Sequence, residues 1–242
     1  MRSVVISLAR MEERRTQIAD QFGAQGLDFD FLDAFDARQD AHIPVSRYDE
    51  AASLARYGAP LKPAEIACYA SHYAAWQLCR ESGEPLAIFE DDVVLHRGFA
   101  EVLQLAASRI ERHRLIRLFG KHARKTRDLE QLTSGYRLVR FLHGPIGTQC
   151  YCLSPDGAAA LLAHADRWSE PVDHYLDRFW LHGLASKAIL PYRLEEMDRA
   201  KIEGAIGERR QRRRGKAKFR REWTRQTDLA ARWLYNLRHW PR

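Results

Sequence analysis

Glu90, Asp91 and Asp92 stand side by side directly after the apolar run Leu86-Ala87-Ile88-Phe89. Three adjacent carboxylates repel one another, so the run costs stability unless solvent or a cation compensates. A hard divalent ion such as Mg2+ or Mn2+ takes oxygen ligands, and a nucleotide diphosphate can supply several of them, so one or two protein carboxylates suffice. As a Lewis acid, such an ion stabilises a leaving diphosphate. Side chains alternate along an extended segment, which predicts Glu90 and Asp92 on one side and Asp91 on the other. A solvated acidic turn explains the three residues equally well by themselves. The buried strand ahead of them favours the metal reading, because ligands of open α/β sheets bind at the C-terminal ends of the strands.

Other residues share faces or loops in ways that suit a polar ligand. Glu65, Tyr69, His72 and Trp76 are spaced i, i+4, i+7, i+11, one helix face mixing two ionisable groups with two aromatics. That face lines a sugar site or forms an aromatic core around a satisfied histidine. Arg14 and Arg15 follow the first strand and reach donor phosphates or solvent. Lys121, Arg124, Lys125 and Arg127 sit in a basic segment, 121–134, read as a loop.

The elements that position these residues alternate between strand and helix. Ser3–Leu8 reads as a buried strand, and Arg10–Gln25 as a helix ending at Gly26 with Ile18 and Phe22 turned inward. Phe29–Phe35 is a second strand, and Asp36–Pro60 reads as polar and irregular. A well-buried helix runs from Pro63 to a stop at Ser82-Gly83. After the acidic triplet, the spacing of Phe99, Val102, Leu103, Ala106, Ala107 and Ile110 predicts an amphipathic helix, and Leu115–Phe119 a strand. Tyr136–Leu142 and Thr148–Leu153 read as strands, and Ser154-Pro155-Asp156 caps a helix to about Ala163. One more helix spans Val172–Leu181, with Asp173 placed as its N-cap, and Lys187–Leu190 is a late strand.

Composition sets the bounds. With 242 residues and 45% hydrophobic content, the chain can bury a substantial core. It contains no apolar run of the roughly 18 residues needed to span a bilayer, and its start is too short for a signal peptide, so a cytosolic location is expected. Cys68 and Cys79 fall in one helical pattern, about 16 Å apart along its axis, and Cys150 and Cys152 alternate on one strand; all four read as reduced, packed thiols. The net charge of +7 is uneven: residues 1–200 hold 25 Lys+Arg against 28 Asp+Glu, and residues 201–242 hold 14 against 4. Within that tail Phe219, Trp223, Ala230, Trp233, Leu237 and Trp240 fall near one helical stripe with arginines elsewhere, a basic amphipathic helix suited to an anionic membrane surface. Packing of the stripe on its own domain or on a second subunit is the competing reading. Nucleic acid binding through Arg209–Arg221 ranks lowest, since no recognition module accompanies the charge.

Taken in order, these segments resemble glycosyltransferase family 25. The resemblance covers residues 3–195 and rests on Val4-Val5-Ile6-Ser7-Leu8 with Arg10 and Glu13-Arg14-Arg15, on Phe31-Leu32-Asp33-Ala34-Phe35-Asp36, and on Glu65-Ile66-Ala67-Cys68-Tyr69-Ala70-Ser71-His72. It continues through Trp76, Leu86–Asp92, Gly147-Thr148-Gln149-Cys150-Tyr151, Ser154, Gly157-Ala158, Leu161-Leu162 and Val172-Asp173. Ala37 and Ala67 stand where the family commonly has glycine. The resemblance implies a GT-A-like, Rossmann-type nucleotide-sugar-binding domain with a mixed central sheet over residues 1–200, followed by the basic helical tail 201–242. It also implies an inverting transfer of a hexose, commonly galactose, from a UDP-sugar to a saccharide or glycolipid acceptor of a bacterial surface polymer, and the basic tail adds a place at the inner face of the cytoplasmic membrane.

By residue, the resemblance assigns metal binding to Glu90, Asp91 and Asp92, with Mn2+ or Mg2+ as the ion. Leu8, Arg14, Ala34, Asp36 and Asp91 contact the donor, and His72 and Gln149 contact the substrate. Asp173 ranks first as the base that deprotonates the acceptor hydroxyl, with Asp177, Glu195 and Glu196 in reserve. The alternative is a membrane-attached scaffold or nucleotide-binding protein that keeps the fold without activity.

Overall fold

The computed structural model describes residues 1–38, 43–197 and 216–239. The chain opens with β1 (Arg2–Ser7), α1 (Glu12–Ala24) and β2 (Asp30–Asp33), followed by α2 (Glu50–Tyr57) and the long α3 (Pro63–Ser82). Then come β3 (Leu86–Glu90), β4 (Val93–Leu95), α4 (Phe99–Ala107), α5 (Ile110–His113), β5 (Leu115–Arg117), β6 (Thr126–Gln131) and β7 (Arg137–Phe141). The remainder is β8 (Cys150–Leu153), α6 (Pro155–Leu162), α7 (Val172–Leu176), α8 (Phe179–His182), β9 (Lys187–Leu190), β10 (Leu194–Glu196) and α9 (Lys216–His239).

Eight strands form one mixed sheet in the order β2-β1-β3-β8-β5-β9-β7-β6. β1 lies parallel to both β2 and β3, whereas β8 runs antiparallel between β3 and β5. Alternation along β1 sends Val4 and Ile6 into the core beneath α3 and α6, and Val5 into the core beneath α1 and α4. The first core is aromatic: Tyr69 stacks on Trp168 at 4.7 Å and meets Trp76 edge-on. The second is built from Ile18, Phe22, Phe89, Phe99 and Val102. Leu86, Ala87, Ile88 and Phe89 are wholly buried, as a central strand covered on both faces requires.

The structure departs from the expected elements at several points, the paired strands β4 and β10 among them. The stretch expected to be irregular holds α2, capped by the Asp49 carboxylate, which accepts from Ala52 N, and closed by Gly58 at φ 73°. The basic segment 121–134 contains β6, an edge strand that pairs only with β7 and so needs no apolar alternation. The helix expected over Val172–Leu181 is two short helices, because Asp177 turns its carboxylate inward to Arg117 and breaks the run. Asp173 is not an N-cap: Pro171 holds that position and the Asp173 carboxylate accepts from the next amide, His174 N, at 2.8 Å. All four cysteines are free.

The C-terminal helix α9 lies across α2 and α8. It docks with its polar side: Asp228 pairs with Arg56 and Arg178, Asn236 Nδ2 donates to Leu142 O, and the Tyr235 hydroxyl donates to Gly183 O. Trp223, Trp233, Leu234 and Leu237 remain on the solvent side, the two tryptophans 65% and 63% exposed. These members of the stripe seen in the sequence therefore point outward. Residues 198–215, with most of the Arg209–Arg221 run, and Trp240 lie outside the described residues. Among the described residues no helix is long and apolar enough to cross a membrane.

One buried group gives the fold a pH dependence. His182 is 4% exposed, and burial, with Arg117 and His164 pushing the same way, lowers its pKa from 6.5 to about 3. A group depressed in the folded state contributes stability above its unfolded pKa and loses it as pH falls, at about 1.4 kcal/mol per unit. Between pH 7 and pH 5, denaturant unfolding should therefore lose about 2 kcal/mol more in the native chain than in His182→Gln. Equal losses in the two proteins would mean that His182 is not held neutral.

Candidate active site

The parallel pair β1 and β3 ends in register, with Ile6 beside Glu90, so Ser7 and Asp91 emerge at the same level. Ser7 Oγ donates to Asp91 Oδ2 at 2.6 Å, and Arg14 from α1 donates to Asp91 Oδ1. Asp91 is thus turned toward β1 and α1. Burial raises its pKa against the pull of Arg14 and Ser7. Arg15 does not join it, donating instead to Asp33 and Ser7 O.

β8 runs opposite to β3, so its leading loop arrives where β3 ends, and Glu90 N donates to Gln149 O at 3.0 Å. That loop is held by a buried pair. Arg117 donates to Asp177 at 2.6 Å and to Gly147 O, while the other Asp177 oxygen accepts from Ile146 N at 2.8 Å. A side chain at Gly144 would collide with the Asp177 carboxylate, so glycine is required there. The loop delivers Thr148, whose hydroxyl donates to Glu90 Oε1. From α3, His72 Nε2 stands 3.4 Å from the same oxygen. Burial raises the pKa of Glu90, but His72 and Thr148 outweigh it and hold the carboxyl below its usual range.

Asp92 is in the opposite condition. Burial first, and then the charge of Glu90, push its pKa up to about 8. Among the described residues its Oδ1 is buried without a hydrogen-bond partner. The short sheet of β4 and β10 springs from this point: Val93 pairs with Glu196, and Met197 N donates to Asp92 O at 2.8 Å. Glu196 is thereby brought to the site, where Lys121 pairs with it at 2.9 Å and Gln149 Nε2 approaches it at 3.4 Å. On the other flank Asp36 pairs with Arg10 at 2.6 Å, which lowers its pKa, and accepts from Arg38 N.

These groups surround one cavity of about 870 Å³, within the range of roughly 300–1,000 Å³ usual for ligand clefts. Leu8, Arg14, Ala34, Asp36, His72, Glu90, Asp91, Asp92, Gln149 and Asp173 all line it. An acidic floor meets basic walls formed by Arg10, Arg14, Arg38, Lys62 and Lys121. Such a surface suits a diphosphate bound together with a cation. Tyr69 and Trp76, on the helix face expected to line a sugar site, are instead packed in the aromatic core. Ser7 and Thr148 line the cavity without having been singled out by residue type, Cys68, read as a packed thiol, also lines it, and Lys121 and the end of β10 at Glu196 meet there from distant parts of the chain.

The family profile described as glycosyltransferase family 25 (LPS biosynthesis protein) matches residues 1–176. The chain belongs to glycosyltransferase family 25. Among its relatives, the lacto-N-neotetraose biosynthesis glycosyltransferase LgtB of Neisseria meningitidis is 31% identical over 192 residues, 74% of this chain and 61% of that protein. LgtE of Neisseria gonorrhoeae, described in the same terms, is 38% identical over 108 residues, 43% of this chain and 36% of its own. The lipooligosaccharide biosynthesis protein lic2B of Haemophilus influenzae is 35% identical over 92 residues, 38% of this chain and 33% of its own. This family 25 chain thus spans between a third and three-fifths of the length of these relatives. A crystal structure of A197 from STIV aligns with 80% of this chain and 83% of that one at a TM-score of 0.42 and 14% identity, a likeness too distant to add to the argument.

Proposed function

We propose that the chain is a glycosyltransferase that moves a hexose, galactose first among the candidates, from a UDP-sugar to a saccharide of a bacterial surface glycolipid, with inversion, in a GT-A-like domain. The observation that carries this reading is the convergence of the acidic triplet, the basic walls and Asp173 on one cavity at the C-terminal ends of β1 and β3. Membership of family 25 supplies the reaction class.

The residues present fit a divalent cation. The buried, unpartnered Oδ1 of Asp92 and the raised pKa of its carboxyl mark an acid that lacks a compensating charge. Glu90 and Asp92 would hold Mn2+ or Mg2+, and the bound ion would supply Lewis-acid stabilisation to the leaving diphosphate. Arg14 pairs with Asp91 and so occupies that carboxylate, and Lys121, paired with Glu196, would face the diphosphate. Asp173 takes the proton of the acceptor hydroxyl as its oxygen attacks the anomeric carbon, and UDP departs. Thermal denaturation tests the binding step: UDP with Mn2+ should raise the melting temperature of the native chain and leave that of Asp92→Ala unchanged. No shift in the native chain would remove the main support for this reading.

The same reading places the protein, in the cytosol, against the inner face of the cytoplasmic membrane. In support, α9 docks by its polar side and leaves Trp223, Trp233, Leu234 and Leu237 exposed beside basic residues. A tryptophan half-buried among headgroups contributes about 1 kcal/mol, so replacing Trp223 and Trp233 by serine should weaken binding to phosphatidylglycerol vesicles on the order of 30-fold. Transfer to a soluble acceptor should not change. Equal binding of the native chain to neutral and anionic vesicles would contradict the electrostatic part of this placement.

A further inference from the structure

A chain of hydrogen bonds runs from the aromatic core to the acidic site. Trp76 Nε1 donates to the Tyr151 hydroxyl at 2.8 Å, and that hydroxyl lies 2.9 Å from His72 Nδ1. His72 Nε2 faces Glu90 Oε1 at 3.4 Å. All three core members are fully buried, each at 0% exposure, so no solvent can substitute for a missing partner.

Counting protons fixes the direction of the chain. An indole nitrogen only donates, so the Tyr151 oxygen is an acceptor toward Trp76. Tyr151 has no other hydrogen-bond partner among the described residues. If His72 Nδ1 also donated to it, the phenolic proton would be left buried with no acceptor, a loss of about 1–3 kcal/mol. The phenol therefore donates to Nδ1. An imidazole that accepts at Nδ1 carries its proton on Nε2, the ring nitrogen that stands 3.4 Å from Glu90 Oε1 without being aligned for a hydrogen bond.

Glu90 is consequently engaged on a single oxygen: Thr148 Oγ1 donates to Oε1, and the N–H of His72 Nε2 lies 3.4 Å from the same atom as a charge contact. Oε2 has no hydrogen-bond partner among the described residues, and Glu90 itself lines the cavity.

We propose that Trp76, Tyr151 and His72 form a fixed relay that sets the tautomer of His72 and thereby places an N–H beside the Glu90 oxygen that Thr148 already holds, Oε1, presenting Oε2 to the ligand. Tyr151 and His72 are then positioning residues, and His72 acts on Glu90 rather than on the sugar. The consequence for binding rests on the cation and diphosphate reading of the cavity, whereas the tautomer does not. Groups that orient a metal ligand from behind typically change affinity 10- to 100-fold when removed.

The experiment uses the full chain with 15N-labelled histidine. Long-range proton–nitrogen spectra, recorded in EDTA and with His72 assigned by its loss in His72→Gln, report which ring nitrogen is protonated. The native chain should show His72 with the proton on Nε2. Tyr151→Phe, which keeps the ring and removes the donor, should shift the signal toward a tautomer mixture and weaken Mn2+-dependent UDP binding by about tenfold or more. A proton on Nδ1 in the native chain overturns the relay, and this readout does not depend on Tyr151→Phe folding. An unchanged tautomer together with unchanged UDP binding in a folded Tyr151→Phe overturns it as well. Failure of the native chain to bind UDP with Mn2+ counts against the proposed function instead, leaving the native tautomer to decide the relay.

Discussion

Asp92→Asn should abolish sugar transfer and, in EDTA, melt at a higher temperature than the native chain. Both effects have one cause. Asp92 is buried beside Glu90, and its pKa near 8 expresses how poorly the site tolerates a second negative charge when no cation is bound. Asparagine keeps the shape and cannot ionise, so the cost of burying this carboxyl beside Glu90 and keeping it protonated is removed, and each kcal/mol relieved should raise the melting temperature by about 2–4 °C in a domain of this size. The same change removes a ligand that the bound ion requires. Loss of one preorganised charge-stabilising group commonly costs about 10²–10³-fold in turnover, and loss of an ion's ligand should reach the upper end of that range. Glu90→Gln differs in a way the geometry dictates: Glu90 is already stabilised as an anion by His72 and Thr148, so its replacement should lower activity without raising the melting temperature. Parallel kinetics and thermal denaturation of the two variants separate the roles. Equal stability shifts would mean that the two carboxylates share one environment.

Asp173→Asn should lower kcat by about 10²–10⁴-fold, the usual contribution of a positioned general base, while leaving UDP binding intact. The three reserve carboxylates are sorted by their surroundings. Asp177 is locked to Arg117 and Ile146 N as the clamp of the Thr148 loop. Glu195 is largely exposed and pairs with His96 away from the cavity. Glu196 lines the cavity but is held by Lys121. Asp173 lines the cavity from α7, with one oxygen engaged by a neighbouring amide. Kinetics for Asp173→Asn and Glu196→Gln at saturating donor decide between them. A near-native kcat in Asp173→Asn would move the base to Glu196.

Much of this architecture is legible in the residues because its signals are local. Leu86–Phe89 is an uninterrupted apolar run with nowhere to sit but a covered central strand, and Pro63 and Gly83 bracket α3 through backbone conformation alone. The sequence reading missed α2, whose short, mixed-polarity run is stabilised by a cap at Asp49 and a left-handed Gly58 rather than by a continuous apolar face. It also missed β6, since a polar edge strand carries no periodic signal. At the site, the acidic triplet is visible as a type and a spacing. Its division of labour is not, because that depends on partners far away in the chain: Ser7 reaches Asp91 across 84 positions and Thr148 reaches Glu90 across 58. Strand alternation predicted that Asp91 would differ from its neighbours. What separates it is the level at which β1 ends beside β3, since β3 itself stops at Glu90.

The tail shows how one pattern admits opposite structures. A stripe of tryptophan and leucine on a basic helix ordinarily turns toward its own domain. Here Asp228, Tyr235 and Asn236 supply the docking contacts to Arg56, Arg178, Gly183 and Leu142, so the apolar stripe is left outside. Periodicity finds the stripe but is silent on which face the domain receives.

Acceptor-dependent release of UDP is the most direct measurement of the central claim. The full chain, incubated with UDP-galactose, Mn2+ and a panel of oligosaccharides from bacterial surface glycolipids, should release UDP only when a suitable acceptor is present. The release should stop in EDTA and in Asp92→Asn, and the new linkage should have the inverted anomeric configuration. Failure to consume UDP-galactose or any other UDP-hexose with every acceptor, by a folded chain that UDP and Mn2+ do not stabilise, would contradict the account.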